Sequence, residues 1–254
     1  MRRIAPILLA LLACFARPAA AQQFVVEEYW EEVLPGDPDY ADALLESDVF
    51  PELYASGDAG SDSGSERFVA PAPPAAPPAS LPRSVAAYGP FRVLDGTRAA
   101  LVDVTDARSP AAFAALLAAY PGIATIEMLD CPGTEDDRAN MRLGRMIRAR
   151  GIATHVPRDG FVGSGAVELF LAGANRIAEP GAQFAVHSWQ DENGREPRHF
   201  APDAPENRIY LDYYRAMGMD AARAAAFYAM TNSVPFASAR WLTAAEMTHW
   251  ASVE

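Results

Sequence analysis

The spacing of apolar positions changes repeatedly from residue 98 onward, and this predicts strands that alternate with helices. Short apolar runs of the length of buried strands span residues 98–104, 124–129 and 152–156, with shorter ones near 176–177 and 184–186. Strands separated by helices pair in parallel and are joined by right-handed crossovers. The pattern therefore predicts an α/β fold with a mostly parallel sheet.

Apolar residues at intervals of three and four positions predict the helices. The clearest helix spans residues 137–150 and is followed by Gly151, a residue type that is common just after a helix. Another helix begins at Ser109 and Pro110, with Ser109 as the N-cap, and ends before Gly122. The remaining predicted helices span residues 164–172, 205–217, 220–231 and 243–250. The carboxyl-terminal part is thus predicted to be mostly helical.

The amino terminus has the pattern of a secretory signal peptide. A charged start, an apolar run over residues 4–15 and an Ala-x-Ala cleavage motif assign residues 1–21 to the signal peptide. The run is shorter than the about 20 apolar residues that cross a bilayer, so we expect no membrane span. The mature protein is predicted to begin at Gln22 and to lie in the periplasm or be secreted. Residues 11–14 also resemble a lipoprotein box, which leaves a lipid anchor at Cys14 as an alternative.

Two further segments precede the predicted folded domain, which spans residues 88–254. Residues 22–56 are rich in acids with interspersed aromatic side chains, which is typical either of an arm that docks on a partner or of a solvated extension. Residues 57–87 consist largely of Pro, Ala, Gly and Ser and are predicted to be a linker.

Charge and rare residues exclude several functions. The formal net charge of -12 argues against nucleic acid as a partner, because phosphate binding needs clustered cations. The 21 basic residues are all arginine, so no lysine can serve as a general base or form a Schiff base. The histidines at positions 155, 199 and 249 share no metal-binding spacing with acids or cysteine. We therefore predict neither a metal nor another cofactor.

Cysteine usage gives a further constraint. Once residues 1–21 are removed only Cys131 remains, which excludes an intramolecular disulfide. We interpret Cys131 as an inert, small apolar residue beside a turn.

Ser164 and His187 are the candidate pair for acyl-transfer chemistry. Ser164 lies at a predicted strand-to-helix turn, where the first helical amides favour negative charge, and His187 ends a later strand. A serine attacks a carbonyl only with a base in reach and donors for the oxyanion. Simpler roles fit the same residues: Ser164 as a helix N-cap and His187 as a hydrogen-bonded structural residue.

Four motifs follow one another in the middle third of the chain. They are Cys131-Pro132-Gly133-Thr134, Gly163-Ser164-Gly165-Ala166, Leu169-Phe170-Leu171-Ala172-Gly173 and the segment from Ala174 to His187. Their order resembles that of the proteolytic subunit of Clp protease and its relatives in the ClpP/crotonase fold, over about residues 90–254. The resemblance implies a spiral of ββα units with a mostly parallel sheet and a helical carboxyl-terminal part. It also implies a homo-oligomeric ring, which is common in this family.

The resemblance assigns a role to each matching residue. It makes Ser164 the nucleophile and His187 the general base, and it places the oxyanion hole at the amides of Gly133, Thr134 and Gly165. Peptide or protein substrates are implied in the same way.

One part of the family pattern is missing. The family's catalytic aspartate should fall within residues 231–240, which contain no acid. Asn232 could orient the imidazole there, although an amide cannot stabilise the imidazolium by charge. Glu168, one turn after Ser164, is either a polar site residue or a glutamate that faces solvent or forms a salt bridge.

Two other branches of the fold fit less well. The signal-peptide peptidase A group pairs its serine with a lysine, which this chain lacks. The crotonase branch binds coenzyme A thioesters without a serine nucleophile, so the pair Ser164 and His187 favours the hydrolase branch. The expected function is an exported serine-hydrolase-like peptidase that acts by acyl transfer. The alternative is a catalytically weak or inactive ClpP-like homologue that binds a peptide or partner protein in the periplasm.

Overall fold

The computed structural model describes residues 67–68 and 83–253. These residues belong to one compact unit, Gly57–Glu254. The predicted signal peptide (1–21), the acidic extension (22–56) and most of the predicted linker lie outside the described residues.

The described residues form twelve strands and six α-helices, numbered here in chain order. The strands are β1 (Arg67–Phe68), β2 (Ala86–Tyr88), β3 (Phe91–Val93), β4 (Arg98–Leu101), β5 (Thr125–Met128), β6 (Asp130–Cys131), β7 (Gly133–Thr134), β8 (Ala153–Val156), β9 (Phe161–Gly163), β10 (Arg176–Ala178), β11 (Gln183–Val186) and β12 (Arg240–Thr243). The helices are α1 (Ser109–Ala119), α2 (Asp137–Ala149), α3 (Ala166–Ala172), α4 (Pro205–Ala216), α5 (Ala221–Asn232) and α6 (Ala244–Trp250).

Ten of the strands form two larger sheets. The first has the order β10-β8-β5-β4-β3-β2, in which the first four strands run parallel and β3 and β2 add an antiparallel edge. The second has the order β12-β11-β9-β6 and is parallel except for β12. Strands β1 and β7 form a separate antiparallel pair. The predicted α/β class, with mostly parallel sheets and a helical carboxyl-terminal part, is confirmed.

The chain winds as a spiral that adds one strand to each larger sheet per turn. Strand β5 joins the first sheet, β6 joins the second, and α2 returns the chain. The next turn repeats this with β8, β9 and α3, and a third begins with β10 and β11. Successive turns therefore place β6, β9 and β11 side by side, with their carboxyl ends at one edge of the second sheet.

Strand β11, in the middle of the second sheet, is buried on both faces. In β11, the consecutive residues Phe184, Ala185 and Val186 are all buried, which is the pattern of a parallel strand covered on both sides. The Phe184 ring lies 4.9 Å from that of Phe170 in α3. Burial of each such ring stabilises the fold by roughly 1.5–3 kcal/mol. The apolar face of α3 thus fixes this helix against the strand that precedes His187.

Element boundaries depart from the sequence prediction at several places. Helix α1 has Arg108 as its N-cap, one residue before Ser109, whose hydroxyl instead donates to Asp106 at 2.9 Å. Strand β9 was not predicted, because three residues beside a glycine carry too short an apolar pattern to stand out. It forms because β6 and β11 pair with it on both sides. The first larger sheet begins at Ala86, inside the predicted linker.

A buried glycine in α2 provides a test of the packing between α2 and α4. A methyl group on Gly144 would lie 2.0 Å from the Tyr213 hydroxyl oxygen, which is itself held by donation to the Glu168 carbonyl at 2.7 Å. Helix propensity alone favours alanine by about 1 kcal/mol. We nevertheless expect Gly144→Ala to lower the free energy of unfolding by about 1–3 kcal/mol, as overpacking does, in urea titrations. Gly96→Ala is the control, because no atom lies within 4 Å of its added methyl. Equal stability of the two variants would contradict this packing.

Candidate functional site

Ser164 occupies the turn between β9 and α3, and its backbone is left-handed. Its φ of 53° makes it the one non-glycine residue with positive φ among those that the structure describes. The cause is local: its N–H continues the sheet by donating to the Ala185 carbonyl at 2.8 Å, while its own C=O already accepts from Val167 in the helix at 3.0 Å. A single residue must therefore join strand to helix, and the left-handed conformation does so at a cost of roughly 1–2 kcal/mol.

The Ser164 hydroxyl does not cap the helix. Gly165 is the N-cap residue of α3, and no side-chain capping bond is formed. Ser164 is fully buried, and its Oγ makes no hydrogen bond to any residue that the structure describes. A buried unpaired hydroxyl costs about 1–3 kcal/mol. The N-cap alternative is therefore wrong, and the site combines two unfavourable features of the kind that cluster at functional sites.

His187 leaves the neighbouring strand at the same edge. Strand β11 pairs in parallel with β9, with Ala185 opposite Gly163, so Ser164 and His187 both follow the carboxyl ends of adjacent strands. Such strands lie about 4.8 Å apart. His187 is also fully buried, and the Phe236 ring packs edge-on against it at 5.2 Å. Since Ser164 Oγ is unpaired, the hydroxyl and imidazole are not hydrogen-bonded in this structure.

The backbone determines which nitrogen of His187 carries the proton. Nδ1 lies 2.9 Å from the Ser188 carbonyl oxygen, and a carbonyl can only accept a hydrogen bond. The neutral ring is therefore protonated at Nδ1, and Nε2 is the nitrogen that can take up a proton. This is the tautomer that a general base for Ser164 requires.

The three predicted oxyanion residues meet beside this turn. A Cβ on Gly165 would lie 2.4 Å from the Thr134 methyl carbon, so only glycine allows β7 to approach this closely. Asn140, buried in α2, donates from Nδ2 to the Gly165 carbonyl at 2.6 Å and accepts from the Thr105 hydroxyl at 2.9 Å. The Gly133 and Thr134 segment and the Gly165 peptide are thus held together. Their role as oxyanion donors stays a prediction.

Sequence reasoning missed Asn140, although its position carries a signal. Asp137, Asn140, Met141 and Gly144 lie on the buried stripe of α2, and a polar residue on an apolar stripe needs a partner inside the protein. Asn140 finds that partner at Gly165. Asp137 accepts from the Tyr210 hydroxyl at 2.5 Å.

Asn232 and Glu168 each have a hydrogen-bond partner among the described residues. Asn232 ends α5, and its Nδ2 donates to the Tyr228 carbonyl of the same helix at 2.8 Å. Its predicted role in orienting the imidazole stays a prediction. Glu168 is buried and accepts from the Tyr214 hydroxyl at 2.7 Å. The expectation that Glu168 faces solvent is therefore wrong.

Cys131 is a buried thiol, which fits its interpretation as an inert, small apolar residue. It is fully buried in β6, and its thiol donates to the Leu101 carbonyl at 3.3 Å. Burial, and secondarily the negative charge of Asp130, raise the pKa of the Cys131 thiol well above its usual value. A thiol that stays protonated is a poor nucleophile.

The described part of the chain has neither a metal-binding cluster nor a helix that could span a membrane. Across 67–68 and 83–253, no group of three or more His, Cys, Asp or Glu side chains is placed to hold a metal ion. Within the same residues, no helix combines the length and apolar character needed to cross a bilayer.

The spiral of strands and helices defines an α/β domain with mostly parallel sheets. The chain is similar to a variant of ClpP1 from Listeria monocytogenes, with 16% sequence identity and a TM-score of 0.42, covering 61% of this chain and 88% of that one. It is also similar to a variant of the membrane-bound stomatin-specific protease 1510-N in complex with a substrate peptide, with 15% identity, a TM-score of 0.42, and coverage of 62% and 73%. A second variant of that protease gives 16% identity, a TM-score of 0.40, and coverage of 62% and 78%.

These similarities concern the fold. By its name, ClpP1 belongs to the Clp protease group, whose motifs the sequence resembles. No protein-family model and no curated protein matches the chain.

Two equally buried serines should respond oppositely to removal of the hydroxyl. Ser164→Ala removes an unpaired buried hydroxyl and should raise the free energy of unfolding by about 1 kcal/mol. Ser188→Ala removes a hydroxyl that donates to Glu196 at 3.0 Å, and should lower it by about 1–3 kcal/mol. Chemical denaturation of both variants measures the difference. A loss of stability in Ser164→Ala would show that its hydroxyl has a partner after all.

The burial of Cys131 predicts slow alkylation in the folded protein. In a Cys14→Ser background, iodoacetamide should modify Cys131 at least about a hundredfold more slowly in buffer than in denaturant, because the protonated thiol is enclosed. Mass spectrometry follows the reaction over time. Fast alkylation at pH 8 in buffer would show that the thiol is accessible and would reopen its role as a nucleophile.

Proposed function

We propose that this protein is an exported serine hydrolase, a peptidase that acts by acyl transfer through Ser164 and His187. The observation that carries the proposal is the Ser164 turn: a left-handed, buried serine with an unpaired hydroxyl between a parallel strand and a helix. Hydrolases hold their nucleophilic serine on a strained turn of this strand-to-helix kind. A helix cap or a core serine has no need of this conformation.

The proposed reaction begins with attack by Ser164 Oγ on a substrate carbonyl. His187 Nε2 takes the hydroxyl proton as the carbon–oxygen bond forms, and the carbonyl oxygen becomes an oxyanion. The N–H groups near Gly133 and Thr134 and that of Gly165 hold this charge. His187 then returns the proton to the leaving amine, and water hydrolyses the acyl-enzyme by the same steps.

The imidazole is oriented in this proposal without a carboxylate. The Ser188 carbonyl fixes the Nδ1–H tautomer of His187, as the aspartate of a triad does. A neutral carbonyl lacks the full charge that stabilises the imidazolium. Asn232 stays a candidate for a second orienting group. We therefore expect turnover well below that of an enzyme with a complete triad.

A second function is favoured by the missing acid and by the full burial of Ser164 and His187. In this alternative the protein is a weak or inactive homologue that binds a peptide or partner protein at the same site. Both functions use the edge formed by β7, β9 and β11, so the chemistry at Ser164 distinguishes them.

The cellular setting belongs to the same proposal. The pattern of residues 1–21 supports export to the periplasm or secretion. In the alternative, processing makes Cys14 the first residue of the mature protein, and a lipid anchor is attached there. The partners are a peptide or protein substrate and further copies of this chain, in a ring, by resemblance. The net charge of -12 argues against nucleic acid as a partner.

Covalent labelling by a fluorophosphonate tests the nucleophile. We expect slow labelling of the wild type during an overnight incubation, none in Ser164→Ala, and a rate about a hundredfold lower in His187→Ala, because loss of a general base costs this much. Peptide mapping by mass spectrometry locates the adduct.

The matched controls are Ser233→Ala and His249→Ala. The Ser233 hydroxyl donates to the Met230 carbonyl at the end of α5, and His249 contacts the Trp250 ring in α6, so both should label like the wild type. If the same label appears in Ser164→Ala, or in none of the proteins, acyl transfer at Ser164 is refuted and the binding function is the one left.

A further inference from the structure

The short strand β1 pairs with β7, the segment that contains two of the three predicted oxyanion residues. The pair is antiparallel, with Arg67 opposite Thr134 and Phe68 opposite Gly133. Strand β7 belongs to neither of the larger sheets, and its inner side is bridged to Thr105. The outer edge of β7 is thus covered by a segment from the predicted linker.

The peptide planes of β7 show which backbone groups face β1. The Gly133 C=O accepts from the Thr105 N–H at 3.1 Å, and the Glu135 N–H donates to the Thr105 C=O at 2.8 Å. The C=O and N–H of a trans peptide point in opposite directions, and the described residues contain no cis peptide bond. The Thr134 N–H and C=O therefore both point away from Thr105, toward Arg67.

The covered edge lies beside the candidate nucleophile. The Thr134 methyl carbon is 2.4 Å from the point where a Cβ of Gly165 would lie, and Gly165 directly follows Ser164. Both Ser164 and His187 have no exposed surface. A substrate carbonyl cannot reach the hydroxyl in this arrangement.

We propose that the Arg67–Phe68 segment of this same chain is a resident strand on the outer edge of β7, where it occupies the backbone groups that an extended peptide would otherwise meet. An extended peptide that adds a strand to a sheet edge is bound by main-chain hydrogen bonds, which is the pairing that β1 makes. This inference rests on the proposed function, because the Thr134 N–H that faces β1 is a predicted oxyanion donor. The resident segment keeps the site closed until it leaves.

The length of chain behind β1 allows it to leave and return. Fourteen residues, 69–82, lie between Phe68 and Arg83, where the described residues resume (82 − 69 + 1 = 14). A chain of this length spans at most about 50 Å, so β1 can vacate the edge while it stays attached. A tethered segment has an effective concentration of roughly millimolar. A free peptide that binds the β7 edge weakly therefore cannot compete with β1, whereas a ligand that binds the edge tightly displaces it.

Proline at position 67 is the variant that tests this pairing. The Thr134 C=O faces Arg67, so the Arg67 N–H is the donor that β1 offers to β7. Arg67→Pro removes that donor. Ala75→Pro, in the proline-rich stretch after β1, is the matched control. Both are made in the full chain, and urea titrations check that each folds.

Two readouts do not depend on catalysis. In a Ser164→Ala background, a fluorescein-labelled peptide with the sequence of residues 64–71 should bind Arg67→Pro at least about tenfold more tightly than the parent or Ala75→Pro, because the resident strand no longer competes. Fluorescence anisotropy measures this binding. Hydrogen exchange of the Thr134 amide should be at least about tenfold faster in Arg67→Pro. If neither peptide binding nor exchange differs among the three proteins, the inference is overturned.

Fluorophosphonate labelling of Ser164 links the inference to the proposed function. We expect Arg67→Pro to label at least about tenfold faster than the wild type, with Ala75→Pro unchanged. Tighter peptide binding without labelling in any protein supports the resident strand and refutes catalysis. Labelling at Ser164 that is equally fast in all three, with unchanged peptide binding, supports catalysis and refutes the resident strand.

Discussion

The parallel pairing of β9 with β11 is the constraint on which the site depends. It extends one residue beyond the strand, where the Ser164 N–H donates to the Ala185 carbonyl. Because α3 must begin at once, Ser164 alone absorbs the change of direction and becomes left-handed. The same pairing sets the carboxyl end of β11, and so His187, beside it. A shift of register by one residue would separate these side chains and turn their directions over.

A buried polar network holds β7, which carries the predicted oxyanion residues Gly133 and Thr134, beside the paired strands β9 and β11. Asn140 connects the Gly165 carbonyl to the Thr105 hydroxyl, and Thr105 in turn pairs with both ends of β7. Each buried polar group is satisfied by another, which makes the arrangement rigid, since loss of one member leaves the rest unpaired. The absence of a methyl group at Gly165 permits the close approach of Thr134. Position 165 therefore has a steric requirement as well as a predicted chemical one.

The described contacts position the His187 ring well but do little to stabilise a positive charge on it. The Ser188 carbonyl gives the His187 ring its tautomer through a neutral dipole, so this contact stabilises the imidazolium less than a carboxylate would. With full burial of both side chains, and with β1 on the outer edge of β7, the proposed enzyme is one whose activity is limited by access as much as by chemistry. The same features fit a peptide-binding protein, which is why the chemistry of one hydroxyl distinguishes the two.

The sequence by itself determined the alternation of strands and helices and the candidates Ser164 and His187, because these depend on local spacing and residue type. The sequence also places the polar Asn140 on the buried stripe of α2. Its role was not recognised, because it depends on the Gly165 carbonyl to which Asn140 donates. The tertiary structure alone decided that Ser164 is left-handed and caps nothing, that β9 exists, and that Arg67 lies opposite Thr134. These features arise from pairing between segments far apart in the chain. The local sequence of a strand does not indicate which distant strand will supply its hydrogen-bond donors and acceptors.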